Sequence, residues 1–162
     1  MSKIKSYIYY KMFIENYLEG KQSEENSIDD LSKLFKCELK QQDDVFSHFD
    51  FYADNIFVEL KTRKDIKYNN STNRFYFKEK ELDSLIFDAV KMSSAYQYNK
   101  RNKSNADFYI VWKIHNDRYF YWKINWDKGD YYLKSVTDKF GHPADRTRDI
   151  IYVHTRAIQE LI

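Results

Sequence analysis

Residues 49–61 read Phe49-Asp50-Phe51-Tyr52-Ala53-Asp54-Asn55-Ile56-Phe57-Val58-Glu59-Leu60-Lys61. Two runs of aromatic and β-branched residues flank Asp54-Asn55, a pair that tolerates positive φ and suits the two central positions of a tight hairpin. With those two residues as the loop, Ala53 faces Ile56, Tyr52 faces Phe57, Phe51 faces Val58 and Asp50 faces Glu59. Alternation along a strand then places Glu59 and Lys61 on one face, Asp50 directly across on that face, and His48 beside Lys61. The other face, with Val45, Phe49, Phe51, Ile56, Val58 and Leu60, is apolar, so burial pins the register.

Upstream of the hairpin, Tyr7, Tyr10, Ile14, Tyr17 and Leu18 share a helical stripe that Gly20 is expected to close. Ser27, followed by Asp29 and Asp30, suits the cap of a short second helix through Leu31 and Leu34, with a strand near residues 35–40. The extended region is expected to start at Val45. Downstream, Leu82, Leu85, Ile86, Ala89, Val90, Ser93 and Tyr96 recur at helical spacing and predict a long helix over 81–99. Strands are expected over 107–115 and 118–125, joined at Asn116-Asp117, then over 131–136 after Gly129-Asp130, and over 150–154. Thr155 is expected to cap a last helix to Ile162. The order predicts an α/β fold with a mixed central sheet flanked by helices.

The chain has 162 residues, 30 of them aromatic, with a single Cys37 and one Pro. That length fits one domain, here residues 1–162, and no repeat or Gly/Pro-rich linker divides it. One cysteine allows no internal disulfide, and no apolar run approaches membrane-spanning length. A soluble, intracellular protein of the cytoplasm or nucleus, with no membrane partner, is expected. The net charge of +2 hides a segregation. Residues 15–55 carry eleven acids and four bases, and residues 56–103 carry eleven bases and six acids. An acidic block followed by a basic one suits an anionic ligand held through metal ions.

Two facing carboxylates repel at the ~5 Å separation of cross-strand neighbours. Mg2+ takes one or two carboxylates and completes its shell with water and phosphate oxygens, with Mn2+ as a substitute. Such an ion activates water and neutralises charge on a phosphodiester, and the Lys61 ammonium would stand beside the attacking water or the phosphate. Metal-assisted phosphodiester hydrolysis is the chemistry expected of Asp50, Glu59 and Lys61. A solvated hairpin face with a Glu59–Lys61 neighbour pair is the plainer reading of the same residues. Arg63, Lys64, Lys67 and Arg74, around a polar loop, are candidates for phosphate contacts that position DNA without reading sequence. Lys100, Arg101 and Lys103 form a second basic cluster. No glycine-rich phosphate loop and no paired-histidine metal spacing occurs.

The run Phe49-Asp50-Phe51-Tyr52, the turn, and Ile56-Phe57-Val58-Glu59-Leu60-Lys61 resembles the signature of the PD-(D/E)XK nuclease superfamily, and the compact hairpin is most like that of phage junction-resolving endonucleases. The resemblance covers roughly residues 5–115 and implies a restriction-endonuclease-like αβββαβ core with extra antiparallel strands on the C-terminal side. It implies a Mg2+-dependent DNA endonuclease in which Asp50, Glu59 and the Leu60 carbonyl ligate the metal and Lys61 is the catalytic lysine. Members often add an acid from the first helix. Glu15, beside Ile14 and Leu18, is the choice here, with Glu19, Glu25 and Glu38 as alternatives. A homodimer would bring two sites to two strands. The aromatic run Tyr119-Phe120-Tyr121-Trp122 could stack bases, but on alternating strands it better suits core and a packing surface such as a dimer interface. Phe49 stands where the family pattern has Pro, and the long helix lacks the Gln and Tyr pair of RecB-type exonucleases. A non-catalytic DNA-binding or protein-interaction domain on the same fold is the alternative.

Overall fold

The computed structural model describes residues 3–42, 48–138 and 146–162. The elements follow in the order α1 (Lys3–Phe35), β1 (Lys40–Gln41), β2 (Phe51–Ala53), β3 (Ile56–Arg63), β4 (Ile66–Asn69), β5 (Arg74–Phe77), β6 (Lys80–Leu82) and β7 (Ser84–Asp88). Then come α2 (Val90–Asn102), β8 (Asp107–Ile114), β9 (Tyr119–Lys123), β10 (Tyr131–Asp138), β11 (Arg146–His154) and β12 (Gln159–Glu160). The chain is α/β, with a mixed six-stranded sheet in the order β1-β2-β3-β8-β9-β12 and two three-stranded sheets, β10-β11-β7 and β4-β5-β6.

The hairpin forms in the expected register, with Phe51 opposite Val58, Tyr52 opposite Phe57 and Ala53 opposite Ile56. Asp54 takes a φ of 28° at its tip. β3 then pairs in parallel with β8 over eight residue pairs, from Ile56–Asp107 to Arg63–Ile114. A parallel neighbour requires a crossover, and the segment from β4 to α2 supplies it. β8 is buried along most of its length because both its faces are covered. Val58, Leu60 and Val111 face α1, where Leu31, Leu39, Phe51 and Tyr119 complete one core. Phe108, Ile110 and Trp112 face the other way, into a core with Met92 and Ala95 of α2, Leu85, Phe87, Ile151 and Val153. Phe49 belongs to this second core and not, as expected, to the side of Phe51, because the chain bends at residues 48–50 before β2 begins. Val45 lies outside the described residues.

The structure corrects the helices. One helix replaces the expected pair before residue 36: a Cβ at Gly20 would meet nothing within 4 Å, and glycine inside a helix costs only about 1 kcal/mol. The polar stretch carries the helix on through Lys21–Glu24 at 2.9 Å and Gln22–Asn26 at 3.1 Å. It stops where Lys36 turns left-handed at φ 55°, so the strand expected over 35–40 shrinks to β1.

The helix expected over 81–99 starts only at Val90, and the residues before it form β6 and β7. Leu85 and Phe87 point into the core while Ile86 is 38 % exposed, a period-two pattern hidden inside a helical one. β7 satisfies its backbone against β11, more than sixty residues away, with Leu85 opposite Val153. The last helix is also absent. Thr155–Ala157 make one 3-10 turn, and β12 covers the free edge of β9 through Gln159–Tyr121 and Glu160–Phe120. The strand expected over 150–154 is the end of the longer β11.

The Asn116-Asp117 turn is as expected, with both residues at positive φ. Tyr119, Phe120 and Trp122 are buried within this chain, as core residues. Among the described residues no helix is long and apolar enough to cross a membrane.

Candidate functional site

Odd-numbered positions of β3 face α2, so Glu59 enters the side of the sheet occupied by Phe57 and Lys61 and is only 3 % exposed. A carboxylate so buried requires partners, and two lysines supply them. Lys61 Nζ lies 2.6 Å from Oε1, and Lys91 Nζ, on the first turn of α2, lies 2.7 Å from Oε2. Lys91 also donates to the His48 carbonyl and stands 5.8 Å from the Phe49 ring centre. Burial opposes the charge of Lys61, but the Glu59 carboxylate, with Asp50 and Asp88 beyond it, holds the ammonium above its usual range.

Asp50 is placed by backbone pairing just before β2. Its N–H donates to the Val58 carbonyl at 3.0 Å, and its Oδ2 accepts the Leu60 N–H at 2.7 Å. Burial pushes its carboxyl up to about 7, helped by the charges of Glu59 and Glu24 and opposed by the Leu60 N–H and by Lys91. Asp50, Glu59 and Lys61 thus occupy one neighbourhood, but the paired register stops at Phe51–Val58. Asp50 is held by the bend at 48–50 and the Leu60 N–H and not, as expected, as the cross-strand partner of Glu59. The Leu60 contact is made through its N–H.

Glu24 is the α1 acid whose charge bears on Asp50. Its Oε2 accepts from Lys21 at 2.9 Å and from Gln41 at 3.1 Å. With Glu19, Leu60 and Thr62 it lines a cavity of about 230 Å³. Glu15 is exposed on α1, nine residues and about 13 Å of helix before Glu24. Glu25 and Glu38 are exposed as well. His48 is exposed and meets Lys91 through its carbonyl.

Sequence reasoning missed Glu24 and Lys91. Lys91 had a legible signal: the first turn of α2 contains no acid, and a lysine there opposes the helix dipole unless a carboxylate holds it. Starting the helix at residue 81 concealed that position.

The basic residues beyond β3 are less uniform than their sequence suggests. Arg63 is engaged by Asp65 through two bonds of 3.1 and 3.2 Å, and Arg74 pairs with Glu81 across β5 and β6. Lys64 and Lys67 are exposed and make no ion pair among the described residues.

Among the described residues no three His, Cys, Asp or Glu side chains gather around one point that could hold a metal ion. The donor set nevertheless suits a magnesium-like ion, which needs only one or two carboxylates. Asp50 Oδ1 has no hydrogen-bond partner among the described residues, and burial together with the Glu59 charge disfavours its ionised form, a penalty that a cation would relieve. Both Glu59 oxygens are held by ammonium groups, so an ion entering there displaces a lysine. Comparison with protein-family models, curated proteins and solved structures found no match.

Proposed function

We propose that the chain is a Mg2+-dependent DNA endonuclease in which Asp50 and Glu59 hold the metal and Lys61 serves the phosphate or the attacking water. The observation that supports this most is the convergence of Asp50, Glu59 and Lys61 where β2 meets β3, with Lys91 reaching in from α2. The element order lends support: with β4–β7 set aside as an insertion between β3 and α2, the elements α1, β1-β2-β3, α2 and the parallel β8 are compatible with an αβββαβ order.

Bound between the two carboxylates, the ion would activate water and neutralise the scissile phosphate. The protein's part is positional. β3 fixes Glu59 and Lys61 two residues apart on one rigid face, and the Leu60 N–H orients Asp50 by taking one of its oxygens. Lys61, released from Glu59, presents its ammonium to the phosphate oxygens. Lys91 would keep Glu59 paired until an ion arrives. Lys64 and Lys67 extend positive charge from the end of β3.

That Glu59 is already satisfied by two lysines favours a second reading, a non-catalytic DNA-binding or protein-interaction domain whose buried ion pairs are structural. The two separate on incubation with plasmid, single-stranded and branched DNA in Mg2+, Mn2+ or chelator, beside Asp50→Ala and Lys61→Ala. The nuclease reading expects cleavage that needs metal and is lost in both variants. Cleavage in chelator or in either variant removes the mechanism, and no cleavage of any substrate leaves the second reading.

A further inference from the structure

The face of β3 that carries Glu59 and Lys61 continues to Arg63, and Asp88 of β7, whose charge acts on Lys61, stands two residues from Ile86 on the same strand face. Arg63 and Ile86 are both walls of a groove of about 450 Å³ between the β4-β5-β6 sheet and the outer face of β7-β11-β10. Ile86 is directly opposite Tyr152, and Tyr152 is directly opposite Tyr132. The two tyrosine rings are stacked, 4.8 Å between centres and 10° between planes, and His154 lies 5.5 Å from Tyr132. Tyr132 is 40 % exposed, so the stacked pair is partly open to solvent at the groove's edge.

The groove carries two surface ion pairs, Arg63–Asp65 and Arg74–Glu81, and one acid, Asp83, that accepts the Ser84 hydroxyl at 2.8 Å. Lys80 is exposed and makes no ion pair among the described residues. Lys134, two residues beyond Tyr132 on the same strand face, is exposed. A partly exposed tyrosine pair flanked by Lys80 and Lys134, both unpaired among the described residues, matches the chemistry of an unpaired nucleobase and its phosphates. A base paired inside a duplex does not offer its face to such a platform.

We propose that the Tyr132–Tyr152 groove is a subsite for an unpaired base of single-stranded DNA, stacked on Tyr132 with its phosphates on Lys80 and Lys134, adjoining the phosphate at Lys61. The ligand class rests on the nuclease reading, while the subsite is testable without cleavage. A labelled short oligothymidylate and a duplex of equal length are titrated in chelator against the wild-type protein, Tyr132→Ala, Tyr132→Phe and Lys80→Glu. The expected result is tighter binding of the oligothymidylate by the wild type, a loss of roughly tenfold or more in Tyr132→Ala against twofold or less for duplex, retention in Tyr132→Phe, and a smaller salt dependence in Lys80→Glu. No binding of oligothymidylate by the wild type, or equal losses for both DNAs, overturns the subsite. Selective binding without any Mg2+-dependent cleavage overturns the nuclease reading and leaves the subsite standing.

Discussion

Glu59 on β3 and Lys113 on β8 are both buried charges on neighbouring central strands, 3 % and 7 % exposed, and they face opposite sides of the sheet. Their surroundings differ in kind. Lys113 is satisfied by a neutral hydroxyl, Ser27 Oγ at 3.1 Å, by the Tyr119 ring at 5.4 Å, and by the exposed Asp117 at 3.4 Å. Glu59 has two ammonium groups within 2.7 Å, and its charge acts on a second carboxyl, Asp50. A single charge held by mostly neutral groups is a packing solution. In a cluster of two acids and two bases, one acid has its proton affinity raised into the neutral range, and a proton that is easily gained or lost there is what chemistry or an incoming ion can use.

The comparison breaks most readily at Glu59. Glu59→Ala leaves two ammonium groups without their shared carboxylate and is expected to cost about 3 kcal/mol in urea denaturation, the low end for a broken buried pair because Lys61 is 30 % exposed and can turn to solvent. Lys91→Met removes one of two partners, so Glu59 keeps Lys61; the expected cost is about 2 kcal/mol, with tighter Mg2+ binding because Oε2 is freed. A variant that binds Mg2+ no better would show that Lys91 does not compete with an ion. The Asp50 effect is smaller and depends on pH. Its carboxyl is raised from 3.8 to about 7 in the folded protein, so between those values the folded state holds a proton that the unfolded chain has released. Its contribution therefore favours folding at low pH, falls as pH rises through that window, and is fully lost above about 7. Asp50→Asn should flatten that decline and be the more stable protein near pH 8, as melting curves across pH would record. The smallest effect is expected at Lys113→Met, within about 1 kcal/mol of wild type in the same denaturation series. A loss as large as that of Glu59→Ala would erase the distinction between the two buried charges.

The parts of this arrangement legible in the sequence are those fixed by local pairing. Asp54-Asn55 set the hairpin register, the register set the faces of Glu59 and Lys61, and the apolar strand of residues 107–114 was readable because aromatic and β-branched residues run through it. What was not legible depends on contacts distant in sequence. Leu85-Ile86-Phe87 suits a helix or a strand equally, and only pairing with β11 decides it. That error hid the true start of α2 and with it the clamp that Lys91 closes on Glu59. Gly20 looked like a terminus, yet it sits in open space where an exposed helix tolerates it. Glu24 was masked by four other acids of the same segment, because which side of α1 meets β3 is settled by Leu31 packing into the core and not by charge. Repulsion between Asp50 and Glu59 suggested a metal, and the structure adds two lysines that answer part of the same electrostatic demand.

The most direct measurement is a calorimetric titration with Mg2+ of the wild-type protein and of Asp50→Asn. If Asp50 and Glu59 form a cation site, the wild type binds Mg2+ near pH 8 and several-fold more weakly near pH 6, where Asp50 retains its proton, and Asp50→Asn gives no binding heat. Binding by Asp50→Asn equal to that of the wild type, or no binding by the wild type at either pH, would contradict it.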